Sequence, residues 1–387
     1  MQQSAVRDYD CIQPVYVGRF QCDGRLCDSL CCRYRWDIQF DEKSYERYRR
    51  LQEDPVWADR MARELTWEPE MKCHVFHHSD PDGCSFLRED KLCALQRALG
   101  EEVLVDACAE YPRKTHLMPD VLERALCLTC PVAAKEALLA KEPMQFEQVK
   151  LSSHRESYFQ RADNAEMIRA ICFYDLQWIG IAILQERKLK ISERMRMLGD
   201  FLKQAEDLVQ AGRGEQIGAL GEAFPAKQMS SQDGSRTVMP DGDMETVWRM
   251  LSYVTQKSED DSEETRSYIS RGRSFLAKAD AVPEAERLLS LHEHMLEHYL
   301  VNEYFMELYP CAFMGSFTEN YRVFLSLYRM LRFLLLGVAA ERGALAEQDV
   351  LDAVRWMSLR TNHYMGFMEA LRETAEVEQE KGRKRTE

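Results

Sequence analysis

The sequence predicts a mainly α-helical protein in which a small, irregular, cysteine-rich metal or cluster domain packs on an all-helical body. Eleven of the 13 cysteines lie in the first 130 residues, and four of them fall within residues 22–32. From about residue 163 onward, apolar residues recur at helical spacing. The chain shows no repeat and no run in which strands alternate with helices, so a parallel-sheet fold is not predicted.

Length and charge limit the possible organisation and partners. The 387 residues are enough for two or three domains, and we predict a cysteine-rich domain at 1–145, a helical domain at 146–380 and a disordered tail at 381–387. A net charge of −14 argues against broad binding to nucleic acid or to an anionic membrane. The short basic run at 381–385 is typical of a solvated tail.

The sequence favours a cytoplasmic location. The first residues have neither a basic nor an apolar segment of the kind found in a secretory signal. The most apolar stretch, 324–340, is interrupted by Arg329 and Arg332, and we interpret it as a buried core helix. In the cytoplasm thiols stay reduced, so the clustered cysteines indicate metal binding or redox chemistry rather than disulfides.

Local patterns predict the elements of the cysteine-rich region. Residues 1–40 read as irregular, with a short strand or extended entry at 36–40, and Asp41 is a candidate N-cap for the helix that follows. Two turns near Cys84 and Cys93 predict a small hairpin or knuckle with one cysteine on each arm. A short helix then ends at Gly100, and Pro131 suits the first position of another helix.

The remainder of the chain is predicted to be helical, with one interruption. The composition of residues 222–243 is that of a surface loop. The predicted helices of this part of the chain lie near 163–187, 192–208, 244–257, 261–278, 283–308, 316–342 and 347–376.

The cysteines have three possible explanations, which are disulfides, a metal or iron–sulfur site, and buried apolar side chains. An iron–sulfur cluster takes four thiolates, and structural zinc prefers closely spaced cysteine pairs. The local run and the remote cysteines give eight candidate ligands, which are Cys22, Cys27, Cys31, Cys32, Cys84, Cys93, Cys108 and Cys130. Adjacent cysteines rarely bind one ion together, so Cys31 and Cys32 are expected to point in different directions, one toward the metal and one toward the core.

The sequence predicts other roles for the cysteines outside this set of eight. For Cys127, metal binding and burial are equally compatible with the sequence. Burial as small apolar residues is favoured for Cys11, Cys73, Cys172 and Cys311.

Several established motifs fail in this chain. A radical S-adenosylmethionine cluster needs a third cysteine three residues beyond Cys31, at position 34, where Tyr34 stands. The nearest fragment of a dinucleotide-binding loop, Gly212-x-Gly214, has Ile217 in place of the third glycine. His294 and His298 are four residues apart, a spacing that can chelate zinc, but no third ligand is evident and a surface helix is favoured.

The motifs together resemble the flagellin lysine-N-methylase family, whose N-terminal part is similar to small zinc- or iron-chelating domains. Residues 20–49 carry the first cysteines, the Cys31-Cys32 pair, a tryptophan and the Tyr45-x-x-Tyr48 helix. Residues 83–113 carry Cys84, Cys93, Cys108 and the sequence Tyr111-Pro112-Arg113. The cysteine-proline step at 130–131 and the helical segments 169–202, 297–310 and 360–371 extend the resemblance over roughly 9–375.

The resemblance implies N-methylation of lysine ε-amines of flagellin, with S-adenosylmethionine as the methyl donor. It also implies an iron–sulfur cluster in the cysteine-rich domain, of the 4Fe–4S type, with zinc as the alternative. Lysine attacks only as the neutral amine, so the site must desolvate the amine or supply a base. A carboxylate or aromatic ring should also face the positive sulfonium. Candidate residues of these types are Tyr34, Trp36, Asp37, Tyr111 and Arg113.

Two other functions are compatible with the sequence. A metal-binding scaffold would use the cysteines as a structural staple and the helices to bind a partner, and the missing methyltransferase sheet favours it. A cysteine redox protein is disfavoured because Cys127-x-x-Cys130 lies among helices and not after a strand.

Overall fold

The computed structural model describes residues 6–27, 30–33, 38–40, 42–76, 83–161, 172–230, 242–258, 260–313, 315–364 and 366–374. Residue contacts divide the chain into two units. The first unit contains Met1–Ala133 and Phe146–Arg161, and the second contains Ala134–Gln145 and Ala162–Glu387. The domain limits at 145/146 and 380/381 given by the sequence stay a prediction. The fold class is confirmed, because most of the described residues are helical.

A five-stranded sheet forms one part of the first unit. Its strands are β1 (Arg7–Pro14), β5 (Arg113–Leu117), β6 (Leu122–Leu126), β7 (Phe146–Ser153) and β8 (Gln160–Arg161), in the order β7-β1-β6-β5-β8. Strand β1 pairs antiparallel with β7 and parallel with β6. Cys11 of β1 is fully buried with Leu122 and Phe159, which explains why the strand keeps this small apolar side chain on its inner face.

The second part of the first unit is built around a three-stranded sheet and short helices. The strands β2 (Ile38–Gln39), β3 (Leu65–Glu68) and β4 (Cys73–Phe76) are ordered β2-β4-β3. The helices of the first unit are α1 (Val15–Arg19), α2 (Leu30–Arg33), α3 (Glu42–Leu51), α4 (Ala58–Glu64), α5 (Ala94–Leu99) and α6 (Asp106–Glu110), followed by α7 (Pro131–Leu138) at the boundary with the second unit. Aromatic side chains such as Tyr48, Phe76 and Phe86 form its core, and the half-buried Cys84 and Cys93 pack against them.

The irregular structure predicted for residues 1–40 is wrong for residues 7–19, which form β1 and α1. The polar residues Asp8 and Asp10 obscure the strand pattern, and β1 is stabilised by β6 and β7, more than 100 residues further along the chain. Such non-local pairing cannot be read from a local window. The predicted helix ending at Gly100 is confirmed, with Gly100 at a φ of 86°.

The second unit is a helical assembly. Its helices are α8 (Phe173–Leu184), α9 (Ile191–Gln210), α10 (Ile217–Ser230), α11 (Met244–Lys257), α12 (Glu263–Leu276), α13 (Val282–Ser290), α14 (Glu293–Met306), α15 (Phe317–Arg342) and α16 (Glu347–His363). Residues 366–374 are also helical. Helix α15 is central and packs against α9, α11, α12, α13 and α16.

The buried core helix predicted at 324–340 is confirmed. Helix α15 is the one helix of the described residues that is long and apolar enough to cross a membrane, and 89% of its most apolar window is buried in the protein. Ser316 and Glu319 form a capping box at its start, and Gly343 adopts a left-handed conformation just past its end. The leucine-rich segment that contains Arg329 and Arg332 is therefore part of a buried core helix.

Two element predictions need correction in this unit. Helix α10 continues through residues 222–230, where composition predicts a loop, because Phe224 is buried and anchors the helix; residues 231–241 lie outside the described residues. The predicted helix 283–308 is interrupted at Leu291 and His292, which separate α13 from α14. Both differences arise from packing, which outweighs local propensity.

The surface helix predicted around His294 and His298 is wrong. Helix α14 is buried along all of its residues from 295 to 306. The two ring nitrogens of His298 lie 2.8 Å and 2.9 Å from the carbonyl oxygens of Ala137 and Glu142. The His294 Nε2 atom lies 3.0 Å from Lys141 Nζ, so neither histidine is arranged as a zinc ligand.

The His294 contact predicts a loss of stability in acid. Burial and the nearby Lys141 ammonium lower the pKa of His294 from 6.5 to about 4. Between these values the unfolded chain binds a proton that the folded chain does not, so stability falls as pH decreases. Because the ring is partly exposed, we expect only about 1 kcal/mol between pH 7 and pH 5.

Urea unfolding at both pH values, for wild type and for His294→Gln, measures this contribution. The variant removes the titrating group and should show a smaller loss of unfolding free energy on acidification. An equal loss in both proteins would show that the His294 ring does not contribute.

Candidate metal centre

Backbone contacts bring the two cysteine segments of the first unit together. The Cys84 N–H donates to the Cys32 carbonyl oxygen at 2.6 Å, although 51 residues separate them along the chain. Leu87 forms an isolated bridge with Cys93, so Cys84 and Cys93 sit on the two arms of the predicted knuckle. The Tyr48 hydroxyl accepts a hydrogen bond from the Val105 N–H at 3.3 Å, at the turn that begins α6 and carries Cys108.

The remaining predicted thiols approach from the sheet. The Arg113 guanidinium lies 5.2 Å from the centre of the Phe20 ring. Phe20 stands two residues before Cys22 in the sequence. Arg113 pairs with Leu126 across β5 and β6, and Cys130 follows four residues later. The Cys130 thiol interacts electrostatically with the thiols of Cys27 and Cys31.

All eight predicted ligands are thus in the same part of the first unit, and all 13 cysteines are free thiols. Within the described residues, however, no three His, Cys, Asp or Glu side chains converge on a point where they would hold one metal ion. Cysteine is the residue type that binds zinc and iron–sulfur clusters, and these cysteines lie near one another. Binding would require their side chains to turn toward a common centre.

Electrostatics distinguishes one thiol from the others. Burial raises the pKa of the Cys84 and Cys130 thiols to about 12. The neighbouring Cys32 thiol, whose sulfur is 4.0 Å away, lowers the pKa of Cys31 by hydrogen bonding. Cys31 is therefore converted to the thiolate that binds metal or reacts more readily than the buried Cys84 and Cys130 thiols.

Gly83 permits the contact between the two cysteine segments. A Cβ atom at this position would lie 2.5 Å from the Cys32 carbonyl oxygen and 2.9 Å from Arg33 Cα, and the Gly83 φ is +117°. Both the steric contact and the backbone conformation exclude other residues. We expect Gly83→Ala to separate Cys84 from Cys32 and to lower the free energy of unfolding by more than ~3 kcal/mol.

Gly100→Ala is the matched control. Gly100 also has a positive φ, of +86°, but a Cβ atom there would meet nothing within 4 Å. Only backbone strain is added, so a loss of about 1–2 kcal/mol is expected. Equilibrium unfolding under reducing conditions compares the two variants, and equal losses would mean that the approach of Gly83 to Cys32 is unimportant.

The predicted catalytic candidates are only partly described. Tyr34, Trp36 and Asp37 lie outside the described residues. Tyr111 directly follows α6, and Arg113 begins β5. The Arg113 guanidinium interacts electrostatically with the Cys22 thiol, which places Arg113 beside the candidate metal centre.

The other cysteines are placed as structural residues or apart from the centre. Cys11 and Cys311 are buried, as predicted. Cys127 is also buried, and its sulfur lies 3.2 Å from the Thr129 hydroxyl. The prediction that Cys127-x-x-Cys130 lies among helices is wrong, because the motif connects the end of β6 to the start of α7. Cys73 lies in β4, and Cys172 precedes α8.

The second unit contains a buried charge cluster that the sequence patterns do not predict. The Glu297 carboxylate accepts hydrogen bonds from Arg187, at 2.8 to 3.1 Å, and from Arg194 at 2.7 Å. Only 1% of the Glu297 side chain and 3% of the Arg194 side chain is exposed. Arg187 and Arg194 belong to the segment that carries the family resemblance, but no local pattern identifies Glu297 as their partner.

A cleft in the second unit provides another potential binding surface. It has a volume of about 700 Å³ and lies along α11 and α12. Trp248 and Asp261 in its lining are residue types that suit a cationic ligand. However, Arg273 lies 6.0 Å from the Trp248 ring, and Arg266 pairs with Asp261 at 2.7 Å. The Trp248 ring and the Asp261 carboxylate, which could bind a cationic ligand, therefore each already contact an arginine.

Comparison with known proteins identifies the class of the helical unit. The family model described as FliB lysine N-methylase C-terminal domain matches residues 178–382, more than half of the chain. The chain therefore belongs to this family. The match covers α9–α16 and the segment that precedes α9, so it includes Arg187, Arg194 and Glu297.

Individual relatives are similar over shorter stretches. The flagellar biosynthetic protein FliU of Salmonella muenchen is 26% identical over 172 residues, which are 42% of this chain and 95% of that protein. The lysine-N-methylase of Salmonella typhimurium is 26% identical over 134 residues, 33% of this chain and 32% of that protein. The lysine-N-methylase of Salmonella choleraesuis is 25% identical over the same length and coverage. The match thus spans about a third of the lysine-N-methylases, and no solved structure matches the chain.

Proposed function

We propose that this chain is a protein lysine N-methyltransferase that transfers a methyl group from S-adenosylmethionine to lysine ε-amines of flagellin. The observation that carries this proposal is membership of the lysine N-methylase family over residues 178–382. The printed names of the relatives, lysine-N-methylase and flagellar biosynthetic protein, support a lysine substrate on a flagellar protein. A flagellin substrate would be modified in the cytoplasm before export.

The chemistry requires a neutral amine at the moment of attack. A free lysine has a pKa near ~10.4 and is almost fully protonated at neutral pH. A fixed positive charge lowers the pKa of a nearby lysine, because it disfavours the ammonium form. Arg113 is suited to this role, and Tyr111 offers a hydroxyl two residues away.

We propose further that the eight thiols of the first unit hold an iron–sulfur cluster, or zinc in its place. The residues that would hold it are taken from Cys22, Cys27, Cys31, Cys32, Cys84, Cys93, Cys108 and Cys130. When bound, such a group would supply iron or zinc as a Lewis acid, and iron also as a redox centre. The protein supports it by holding Cys32 and Cys84 together through their backbone and by lowering the pKa of Cys31.

The proposed activity is tested with protein purified anaerobically. It is incubated with unmethylated flagellin and S-adenosylmethionine labelled in the methyl group, and hydrolysed flagellin is analysed for labelled methyl-lysine. We expect label on lysine that increases with enzyme concentration. The matched control is flagellin whose lysine amines have been chemically acetylated, which should remain unlabelled.

Two outcomes would contradict the proposal. Absence of labelled methyl-lysine, with the thiol-bound group shown intact by its absorbance, would contradict the enzyme function and favour a metal-binding scaffold. Zinc alone, with no iron or acid-labile sulfide after anaerobic purification, would contradict the cluster while leaving a metal centre.

A further inference from the structure

We propose that three aromatic side chains at the surface of the first unit bind the methylated ammonium group of a modified lysine. This aromatic corner consists of Tyr45 of α3, Trp67 of β3 and His74 of β4. The binding chemistry follows from the geometry, exposure and surrounding charge of these rings. That the methylated lysine belongs to flagellin rests on the proposed function.

The strand register and helix α3 bring the three rings together. Trp67 lies directly opposite His74 in the antiparallel pair of β3 and β4, so both side chains are on the same face of the sheet. Further along that face Phe76 is buried in the core, where it contacts Tyr48 of α3. Tyr45 lies one helical turn before Tyr48 and stacks on His74. The aromatic corner is therefore the exposed end of this core face.

The rings meet at angles that leave an open corner between them. The Tyr45 and His74 rings are stacked, with their centres 3.6 Å apart and their planes at 15°, so Tyr45 covers one face of the His74 ring. The Trp67 ring stands at 71° to the His74 ring, with the centres 5.0 Å apart. Two nearly perpendicular rings each present one face to the space between them. A cation in that space lies within about 6 Å of both ring centres, the distance over which a ring face attracts it.

The walls of the aromatic corner are accessible to a ligand. A cross-strand pair such as Trp67 and His74 stabilises a hairpin by itself, yet 54% of Trp67 remains exposed. Among the described residues, no lysine or arginine side chain lies over the Trp67 ring, in contrast to Arg273 beside Trp248. Met71, in the turn of the same hairpin, is 47% exposed and adds apolar surface. Methylation replaces ammonium N–H donors by C–H groups, which pack on such surfaces without needing hydrogen-bond acceptors.

The charge around the aromatic corner favours a cation. The hairpin 65–76 contains Glu68 and Glu70 against the single Lys72. Glu42 is exposed and lies one helical turn before Tyr45, on the same face of α3. An anionic ligand would be repelled by these carboxylates, and an uncharged apolar ligand would gain nothing from them. A methylated ammonium combines the positive charge and the apolar surface that this site selects.

Titration with small synthetic ligands tests the proposal. The chain, labelled with ¹⁵N in its tryptophans, is titrated at neutral pH with the N-acetyl amide of trimethyl-lysine, and the indole N–H signals are followed by NMR. The comparison ligands are the amide of unmethylated lysine and the neutral analogue in which carbon replaces the ammonium nitrogen. We expect the Trp67 signal to shift with trimethyl-lysine, which should bind about 5-fold more tightly than either comparison ligand. An unshifted Trp67 signal, or equal affinity for the neutral analogue, would overturn the proposal.

Variants locate the site on the molecule. Trp67→Ala removes one wall and should abolish the preference for trimethyl-lysine, measured by saturation transfer to the ligand, whereas Trp67→Phe keeps a ring and should retain part of it. Leu99→Ala is the matched control, because Leu99 is another exposed apolar side chain of the same unit, and it should bind like the wild type. Undiminished preference in Trp67→Ala would overturn the proposal. Because the ligands are synthetic, this result is independent of whether the chain methylates flagellin.

Discussion

Replacing Glu297 with glutamine is expected to lower the free energy of unfolding by about 3–5 kcal/mol, because the change leaves buried positive charge without its partner. Arg194 is almost completely buried and also donates to the carbonyl oxygens of Leu184 and Leu189. Its guanidinium cannot turn to solvent without breaking these bonds. Glutamine is similar in size to glutamate, so the loss reflects charge rather than a cavity.

Glu284→Gln provides the matched control for Glu297. Glu284 is also paired with an arginine, at 2.7 Å from Arg287, but both side chains are more than half exposed. An exposed pair of this kind contributes little to stability, because solvent screens its charges. Urea unfolding of both variants makes the comparison, and a Glu297→Gln loss no larger than that of Glu284→Gln would contradict the role of the buried cluster.

Asp260→Asn is expected to cost at least ~3 kcal/mol for the same physical reason. The Asp260 carboxylate lies 2.5 Å from the Arg360 guanidinium, and only 2% and 1% of the two side chains are exposed. Arg360 also lies 4.0 Å from the centre of the Trp356 ring and donates to Thr265 at 2.7 Å. Loss of Asp260 therefore leaves a cation that is fixed on α16 and cannot be hydrated.

The neighbouring Asp261 gives a control with the same substitution at the next residue. Its side chain is 86% exposed and pairs with Arg266 at the surface. Asp261→Asn should change the unfolding free energy by no more than about 0.5 kcal/mol. A similar, small loss in both variants would show that the Asp260–Arg360 pair does not stabilise the unit.

Local sequence patterns predicted much of the helical unit, because helices such as α9 and α11 are amphipathic and others have clear ends. Ser316 and Gly343 mark the limits of α15, and Met244–Lys257 forms the helix predicted at 244–257. Helix α14 differs because it is buried on every side. Its Glu297 and His298 look like surface residues, and only their partners elsewhere in the unit satisfy them.

The cysteine-rich unit was predictable in chemistry rather than in architecture. The spacing of the cysteines indicated the candidate ligands, and the structure brings their segments together. The five-stranded sheet was missed, because β1 pairs with strands encoded more than 100 residues later. Long-range pairing also joins Cys32 to Cys84, and no local window contains that information.

The most direct test of the account is methylation of flagellin in cells that produce it together with this chain. Lysine-containing peptides of the flagellin are analysed by mass spectrometry. We expect methylated lysines with the wild-type chain and with Cys73→Ala, and a loss of methylation with the double variant Cys84→Ser, Cys93→Ser at equal protein level. Unmethylated flagellin with the wild-type chain, or equal methylation with the double variant, would contradict the proposal that thiol-dependent lysine methylation is the function of this protein.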